Sequence, residues 1–189
     1  MNSVHECKQA LRKIIQTTKR SYSEKELSSF SVTAMQRLEA TTHFRQADCI
    51  ALYYPLWGEV DTTSLLERWY QTKCLLLPVV VGDDLVFRKY EGKSSMQVGA
   101  YGILEPKEVD DTIILPAMDL IVVPGIAFDK QLNRMGRGKG FYDKLLSKDA
   151  QGVKLGLCFD FQLREEVPVE PFDISMDIVV TDQQVLTKY

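Results

Sequence analysis

The chain has 189 residues, of which 45% are hydrophobic and 26% charged, a composition typical of a folded globular protein and not of a disordered, collagen-like or coiled-coil chain. Its 23 basic and 26 acidic side chains give a formal net charge of −3, so overall charge attracts the chain neither to nucleic acid nor to an anionic membrane, and we expect neither as a partner. The length favours a single domain over residues 1–189 with a sizeable apolar core, and we expect a monomer.

The cysteines and the N-terminal residues are typical of a reduced, cytoplasmic protein. Cys49, Cys74 and Cys158 lie in apolar runs, and Cys7 has no partner at C-x-x-C spacing, so we expect all four thiols to be reduced and buried. The charged start MNSVHECKQALRK does not read as a signal peptide, and no apolar run is long enough to span a membrane. The two histidines are far apart, which disfavours a zinc site and a Ser-His-Asp hydrolase.

The N-terminal residues predict two amphipathic helices. Apolar residues recur at helical spacing between residues 4 and 15, and Lys8 and Arg12 lie one turn apart, so their side chains should point the same way. A second helix should begin near Ser23, because Ser23 and Glu26 have the spacing of a capping box.

Short apolar runs interleaved with helices predict an α/β fold. About six strands are expected, at residues 49–54, 74–81, 85–90, 120–123, 153–159 and 178–180. Asp61 and Thr62 should cap a helix between the first two strands. Because most runs are apolar on both faces, we expect a largely parallel central sheet in a three-layer α/β/α arrangement. Residues 91–117 are the least regular part of the chain.

A glycine-rich loop after the fourth predicted strand carries the strongest chemical signal. The strand ends at Pro124, the sequence GRGKG follows at residues 136–140, and a short helix should begin near Gly140. Ligands bind beyond the carboxyl ends of strands in open α/β sheets, and glycines let backbone amides approach an anion. Arg134, Arg137 and Lys139 add positive charge. The loop is therefore a candidate polyphosphate site, with a solvated basic turn as the alternative.

Standard nucleotide motifs do not describe this loop. The Walker pattern fails at Asn133 and Gly140, and the Rossmann pattern fails at Phe141. Asp143, in the first turn of the following helix, is placed to hold a magnesium ion that bridges phosphate oxygens. The alternative is that this carboxylate only balances the helix dipole.

A second candidate site is the aromatic loop at residues 53–61, which follows the first predicted strand. Its aromatic rings could stack on a planar heterocycle, while Glu59 forms hydrogen bonds to the ring nitrogens. The alternatives are core packing for Tyr54 and Trp57, a helix cap for Asp61, and simple exposure for Glu59.

Four sequence blocks, in order, resemble the 5-formyltetrahydrofolate cyclo-ligases, also called methenyltetrahydrofolate synthetases. They are KQALR at 8–12, YYPLWGEVDT at 53–62, YGILEP at 101–106 and VVPGIAFDKQLNRMGRGKGFYDKLL at 122–146. The last block is the most specific. The chain departs from the family pattern at Met135, where members often have Leu, at Phe141, where many have Tyr, and in lacking a glycine between Asp129 and Arg134.

The resemblance implies a ligase whose partners are a reduced folate and ATP. Such an enzyme uses ATP and Mg²⁺ to convert 5-formyltetrahydrofolate into 5,10-methenyltetrahydrofolate, with release of ADP and phosphate. The formyl oxygen is phosphorylated, N10 attacks the activated carbon, and phosphate leaves. The alternative from another class is a non-catalytic sensor of a sugar phosphate or nucleotide on the same scaffold, and a third interpretation is a protein interaction module.

The resemblance also implies roles for individual residues by motif position. The implied ATP contacts are Lys8, Arg12, Arg134, Met135, Gly136, Arg137, Gly138, Lys139, Gly140, Phe141 and Tyr142. Among these, Arg137 and Lys139 are expected nearest the transferred phosphate, as catalytic residues. The implied folate contacts are Glu59, Tyr54, Trp57 and Tyr142. The implied magnesium ligands are Asp143 and Asp177, with Asp173 and Asp182 as competitors for the second position.

Overall fold

A computed structural model describes residues 3–99, 102–108, 117–147 and 152–188. Helices α1 to α5 span Val4–Arg20, Glu24–Ala40, Thr42–Gln46, Thr63–Trp69 and Phe141–Ser147. Strands β1 to β12 span Cys49–Ala51, Cys74–Val81, Asp84–Lys89, Met96–Val98, Leu104–Pro106, Leu120–Pro124, Ala127–Asp129, Arg134–Met135, Val153–Leu157, Leu163–Arg164, Ile178–Val180 and Val185–Thr187.

The central sheet has seven strands in the order β12-β11-β9-β6-β1-β2-β3. The pairs from β11 through β2 are parallel, whereas β12 and β3 pair antiparallel at the edges. This topology confirms the predicted α/β class and the largely parallel sheet. The one strand of this sheet that the sequence did not predict is β12, a short edge strand with little burial.

Successive side chains of each strand point to opposite faces of the sheet, so the core is divided into two clusters, one on each face. Ile50 and Leu52 belong to the cluster covered by α2, α3 and α4, whereas Cys49 and Ala51 belong to the opposite cluster. The opposite face is covered by α5 and by the segment that follows β6. Both faces are therefore buried, and the second outer layer is only partly helical.

The segment between β6 and α5 contains structure where only a loop was predicted. β7 and β8 pair antiparallel, and β10 joins β7 in parallel, which forms a separate three-stranded sheet. Ile15 of α1 packs on this small sheet against Ala127 and Met135. Strands of two or three residues are too short to show a hydrophobic period, so the sequence could not reveal them.

The irregular segment at residues 91–117 also carries two short strands. β4 and β5 pair antiparallel as a ribbon of their own. Residues 100–101 and 109–116 lie outside the described residues, and Tyr101 of the YGILEP block is among them.

All four cysteines are free thiols, as predicted, but only two are fully buried. Cys49 and Cys158 lie in the core, while Cys7 on α1 and Cys74 at the first position of β2 are partly exposed. The prediction of burial was wrong for these two because Cys7 lies on the flank of a surface helix and Cys74 at a strand end. Among the described residues, no helix is both long and apolar enough to cross a membrane.

A buried carboxylate, Asp129, shapes the turn that leads into the glycine loop. Its oxygens accept hydrogen bonds at 2.9 Å from the backbone amides of Gln131, Asn133 and Val167. Inside this turn, Leu132 has a φ of 65°, the left-handed region that normally favours glycine. Leu132 is buried, so its packing and the Asp129 hydrogen bonds stabilise a turn in which the expected glycine is absent.

The Asp129 turn gives a stability prediction. Asp129→Ala should lower the free energy of unfolding by roughly 2–4 kcal/mol, because it leaves several buried amide donors without an acceptor. Urea denaturation measures the change. Lys130→Ala is the matched control, since that side chain is exposed in a surface ion pair and its removal should cost less than about 0.5 kcal/mol. Equal denaturation midpoints for the two variants would contradict the assigned role of Asp129.

Candidate active site

One face of α1 carries cations toward the glycine loop and the aromatic loop. Lys8, Arg12 and Lys19 recur at helical spacing, and Ile15 between them is buried against the small sheet. The burial of Ile15 fixes which way this face points. The predicted common direction of Lys8 and Arg12 is therefore confirmed.

Lys8 lies at the start of this face and is buried. Its ammonium donates to Asp173 at 2.6 Å and to Glu170 at 2.7 Å. Burial lowers the pKa of Lys8, but the hydrogen bonds and charges of Asp173 and Glu170 outweigh burial, so the net pKa is raised. Lys8 therefore stays protonated and holds two carboxylates near the N-terminal part of α1.

Arg12 contacts the backbone of the glycine loop. Its Nε donates to the Gly136 carbonyl at 3.2 Å. Gly138 has a φ of 101°, and a Cβ there would lie 3.3 Å from the Arg12 guanidinium. A Cβ at Gly136 would lie 2.8 Å from the guanidinium of Arg134. The two glycines are therefore needed where arginines pack directly against loop backbone.

Arg134 is turned inward and ties the loop to the sheet. Only 4% of this residue is exposed. Its Nη2 donates to Asp143 at 2.8 Å and its Nη1 to the Pro124 carbonyl at 3.3 Å, while its Nε is buried without a partner among the described residues. Of the implied ATP contacts, Met135 is also buried, with its side chain packed beside Ile15.

The outward part of the loop meets the aromatic loop through an ion pair. Arg137 donates to Glu59 Oε1 at 2.8 Å, and the other oxygen of Glu59 accepts the Leu56 amide at 3.0 Å. The side chain of Glu59 is 9% exposed, whereas that of Arg137 is 50% exposed. Gly138, Lys139 and Gly140 are exposed, and α5 begins at Phe141. The structure thus brings the two candidate loops together.

A pocket of about 260 Å³ lies where α1 and these loops meet. It is lined by Arg12, Ile15, Gln16, Lys19, Trp57, Ile126 and Arg137. Trp57 is 64% exposed, so its indole is open to a ligand. The alternative of core packing is therefore wrong for Trp57, which lies on an exposed loop.

The two tyrosines implied as ligand contacts lie deeper than Trp57. Tyr54 is partly buried against the main core cluster. Tyr142 packs against the opposite cluster, with the Arg134 guanidinium 5.7 Å from its ring centroid. Loss of solvation and the nearby charge of Glu59 raise the pKa of Tyr142, so its hydroxyl stays protonated and can donate a hydrogen bond.

Asp143 is the carboxylate that pairs with Arg134, and the segment that carries Asp173 contacts it through the chain backbone. Asp143 Oδ1 accepts the backbone amide of Ile174 at 3.3 Å, and Asp173 is the adjacent residue. Within the described part of the chain, no three His, Cys, Asp or Glu side chains form a group that could hold a metal ion alone. One or two carboxylates are what Mg²⁺ usually takes when phosphates and waters supply its other ligands. This donor set fits a magnesium–polyphosphate complex.

Asp177 and Asp182 are not part of this cluster. Asp177 precedes the first residue of β11, and its carboxylate accepts the Lys154 amide at 2.9 Å and pairs with Lys154 and Lys188. It therefore lies at the amino end of the parallel strands, whereas Asp143 is bound through Arg134 to the carboxyl end of β6. Asp182 accepts the Asp160 amide at 2.7 Å.

Sequence reasoning missed two side chains that the structure places at the site. Lys19 and Gln16 line the pocket, although only Lys8 and Arg12 were singled out on α1. A signal was present for Lys19, because it lies seven residues after Arg12 and falls on the same helical face.

Comparison with known proteins identifies relatives over most of the chain. The model of the 5-formyltetrahydrofolate cyclo-ligase family matches residues 4–182. The chain is 37% identical over 144 residues to the 5-formyltetrahydrofolate cyclo-ligase of Haemophilus influenzae, covering 72% of this chain and 77% of that protein. It is 27% identical over 192 residues to the Mus musculus protein of the same name, covering 94% and 95% of the two chains.

Solved structures agree with these relatives. The solution structure of Aquifex aeolicus 5,10-methenyltetrahydrofolate synthetase superposes with a TM-score of 0.85 at 36% identity, covering 95% of this chain and 92% of that one. A 5,10-methenyltetrahydrofolate synthetase from Mycoplasma pneumoniae superposes with a TM-score of 0.72 at 26% identity, covering 93% and 98%.

The inward position of Arg134 gives a second stability prediction. Arg134→Met should lower the free energy of unfolding by roughly 3–5 kcal/mol, because it leaves Asp143 without its buried partner. Thermal or urea unfolding measures the change. Arg20→Met is the control, since Arg20 is exposed at the end of α1 and its loss should be nearly neutral. If Arg134→Met were as stable as this control, Arg134 would not anchor the loop.

Proposed function

The chain belongs to the 5-formyltetrahydrofolate cyclo-ligase family, and on that premise we propose that it converts 5-formyltetrahydrofolate into 5,10-methenyltetrahydrofolate with ATP and Mg²⁺. The observation that carries the proposal is the Arg137–Glu59 ion pair, which joins a cationic glycine loop to an aromatic loop with a carboxylate. A reaction between a phosphoryl donor and a folate needs the two binding sites side by side, and this contact supports that arrangement.

The proposed reaction proceeds in two steps. The formyl oxygen forms a bond to the γ-phosphorus of ATP, and ADP leaves. N10 then attacks the formyl carbon and loses its proton, while the carbon–oxygen bond breaks and phosphate departs with the former formyl oxygen. Phosphoryl transfer asks a protein mainly for positioning and charge neutralisation, so no nucleophilic side chain is required.

We place the phosphates of ATP on the outward part of the glycine loop. Arg12, Arg137 and Lys139 supply positive charge, and the glycines let loop amides face the phosphates. The contact of Arg12 with the Gly136 carbonyl supports a shared site for α1 and the loop. Arg134 positions this loop from its buried side, through hydrogen bonds to the Asp143 carboxylate and the Pro124 carbonyl.

Asp143 and Asp173 are the carboxylates that would hold Mg²⁺. When bound there, the ion would neutralise phosphate charge. Asp173 replaces Asp177 in this proposal, because it adjoins the residue that donates to Asp143. Lys8 pairs with Asp173, which supports a role for its protonated amine beside the same phosphates.

The reduced folate is proposed to bind at the aromatic loop. Glu59 can accept hydrogen bonds from the amino group and ring N–H of the pterin, and the exposed indole of Trp57 can stack on its plane. Tyr54 and Tyr142 would form the deeper wall, with the Tyr142 hydroxyl as a donor.

The first measurement is the absorbance of the purified protein with 5-formyltetrahydrofolate, ATP and Mg²⁺. The near-ultraviolet band of the methenyl product should appear only when all three components are present. ATP and Mg²⁺ are each omitted in parallel as controls. A folded protein that gives no band with all three components would refute the proposed reaction.

A pair of carboxylate variants tests the magnesium assignment. Asp173→Asn should reduce kcat by about tenfold or more and raise the Mg²⁺ concentration needed for half-maximal rate, because a ligand to the ion is lost. Asp177→Asn is the matched control, since its carboxylate pairs with Lys154 and Lys188 away from the site. A raised Mg²⁺ requirement in Asp177→Asn with none in Asp173→Asn would reverse the assignment.

A further inference from the structure

Lys19 is a largely buried lysine whose side chain lines the pocket. Only 6% of the residue is exposed, yet it lines the pocket beside Trp57 and Arg137. No hydrogen bond or ion pair joins its ammonium to another group in the part of the chain that the structure describes. The side chain is largely desolvated and its ammonium faces the pocket, so this position can donate to a ligand group that accepts hydrogen bonds.

The side chain of Lys19 runs across the aromatic loop. A Cβ at Gly58 would lie 2.4 Å from Lys19 Cδ and 3.1 Å from Lys19 Nζ, so the absence of a side chain at Gly58 makes room for the lysine. Gly58 directly precedes Glu59, which brings an ammonium and a carboxylate to neighbouring positions on one wall. Burial and the charge of Arg137 lower the pKa of Lys19 and the charge of Glu59 raises it, so that the net pKa lies below the usual value.

This pair of charges complements one edge of a pterin ring. The 2-amino-4-oxopyrimidine edge presents an amino donor, a ring N–H donor and a carbonyl acceptor in a row. A carboxylate accepts from both donors, and an ammonium beside it donates to the carbonyl oxygen. Glu59 alone satisfies only the two donors, so the third position requires a second residue.

We propose that Lys19 is a substrate-binding residue that donates a hydrogen bond to the 4-oxo oxygen of the pterin, next to Glu59. This inference rests on the proposed function and names the residue that completes recognition of the ring. Lys19 lies about 10 Å along α1 from Arg12 and its side chain packs on Gly58 of the aromatic loop, which favours the folate over the phosphates as its ligand.

The test compares Lys19→Met with Lys19→Arg. Lys19→Met keeps the packing across Gly58 and removes the donor, so KM for 5-formyltetrahydrofolate should rise by about tenfold or more. KM for ATP and kcat should each stay within about twofold. Lys19→Arg should recover most of the loss. Lys13→Met, an exposed lysine on another face of α1, should behave as wild type and controls for the change in charge.

An inhibitor identifies the part of the folate that Lys19 contacts. A tetrahydropterin that keeps the 2-amino-4-oxo ring but lacks the benzoylglutamate tail should lose affinity in Lys19→Met by a similar factor. An unchanged inhibition constant would place Lys19 on the tail and overturn the proposal. A rise in KM for ATP in place of the folate would overturn it as well, as would an unchanged KM for both.

Direct binding separates this inference from the reaction itself. Calorimetry with 5-formyltetrahydrofolate compares wild type and Lys19→Met without turnover, so a protein that binds the folate but forms no product still tests Lys19. Wild type that fails to bind any reduced folate would overturn both proposals. Thermal unfolding of Lys19→Met checks that the variant is folded before its affinity is interpreted.

Discussion

The buried guanidinium of Arg134 is the contact on which the candidate site depends. It bonds the carbonyl of Pro124, at the end of a central strand, and the carboxylate of Asp143, in the first turn of α5. These bonds fix the glycine loop between the sheet and α5. Arg12 of α1 can then contact the loop at the Gly136 carbonyl, and Arg137 of the loop can contact Glu59 of the aromatic loop. Without this anchor, the exposed glycines would allow the loop to adopt many conformations.

The site also shows how an acidic chain gathers positive charge locally. The net charge is −3, yet Arg12, Lys19 and Arg137 line one pocket with Glu59 beside it. Glu59 is nearly buried and needs a cation beside it in the free protein, and Arg137 supplies one. The same pair lies between the proposed phosphate and folate positions. Electrostatics at this pocket are therefore set by a few neighbouring residues and not by the total charge.

Residues of one motif divide into those that face the pocket and those that hold the loop. Arg134 and Met135 are buried, whereas Arg137 is exposed two residues later. One motif therefore contains both residues that face the pocket and residues that hold the loop in place, and their burial distinguishes the two groups. The carboxylates show the same point, because Asp173 adjoins the Asp143 contact and Asp177, four residues later, pairs with lysines elsewhere. Spacing along an irregular loop does not indicate where a side chain points, so only the fold could show which groups each carboxylate contacts.

The sequence by itself determined α1, α2, α4, α5 and the largely parallel sheet, and it drew attention to the two loops, whereas the five-residue helix α3 was not predicted. Capping boxes and long apolar runs act locally, so they can be read without the fold. Tertiary structure alone decided the small sheet of two- and three-residue strands, the left-handed Leu132 and the meeting of Lys19 with Gly58. Each of these depends on contacts between residues far apart in the chain or on burial that compensates backbone strain. Such contacts leave no periodic pattern in the sequence, because the partner that stabilises each residue is set only when the chain folds.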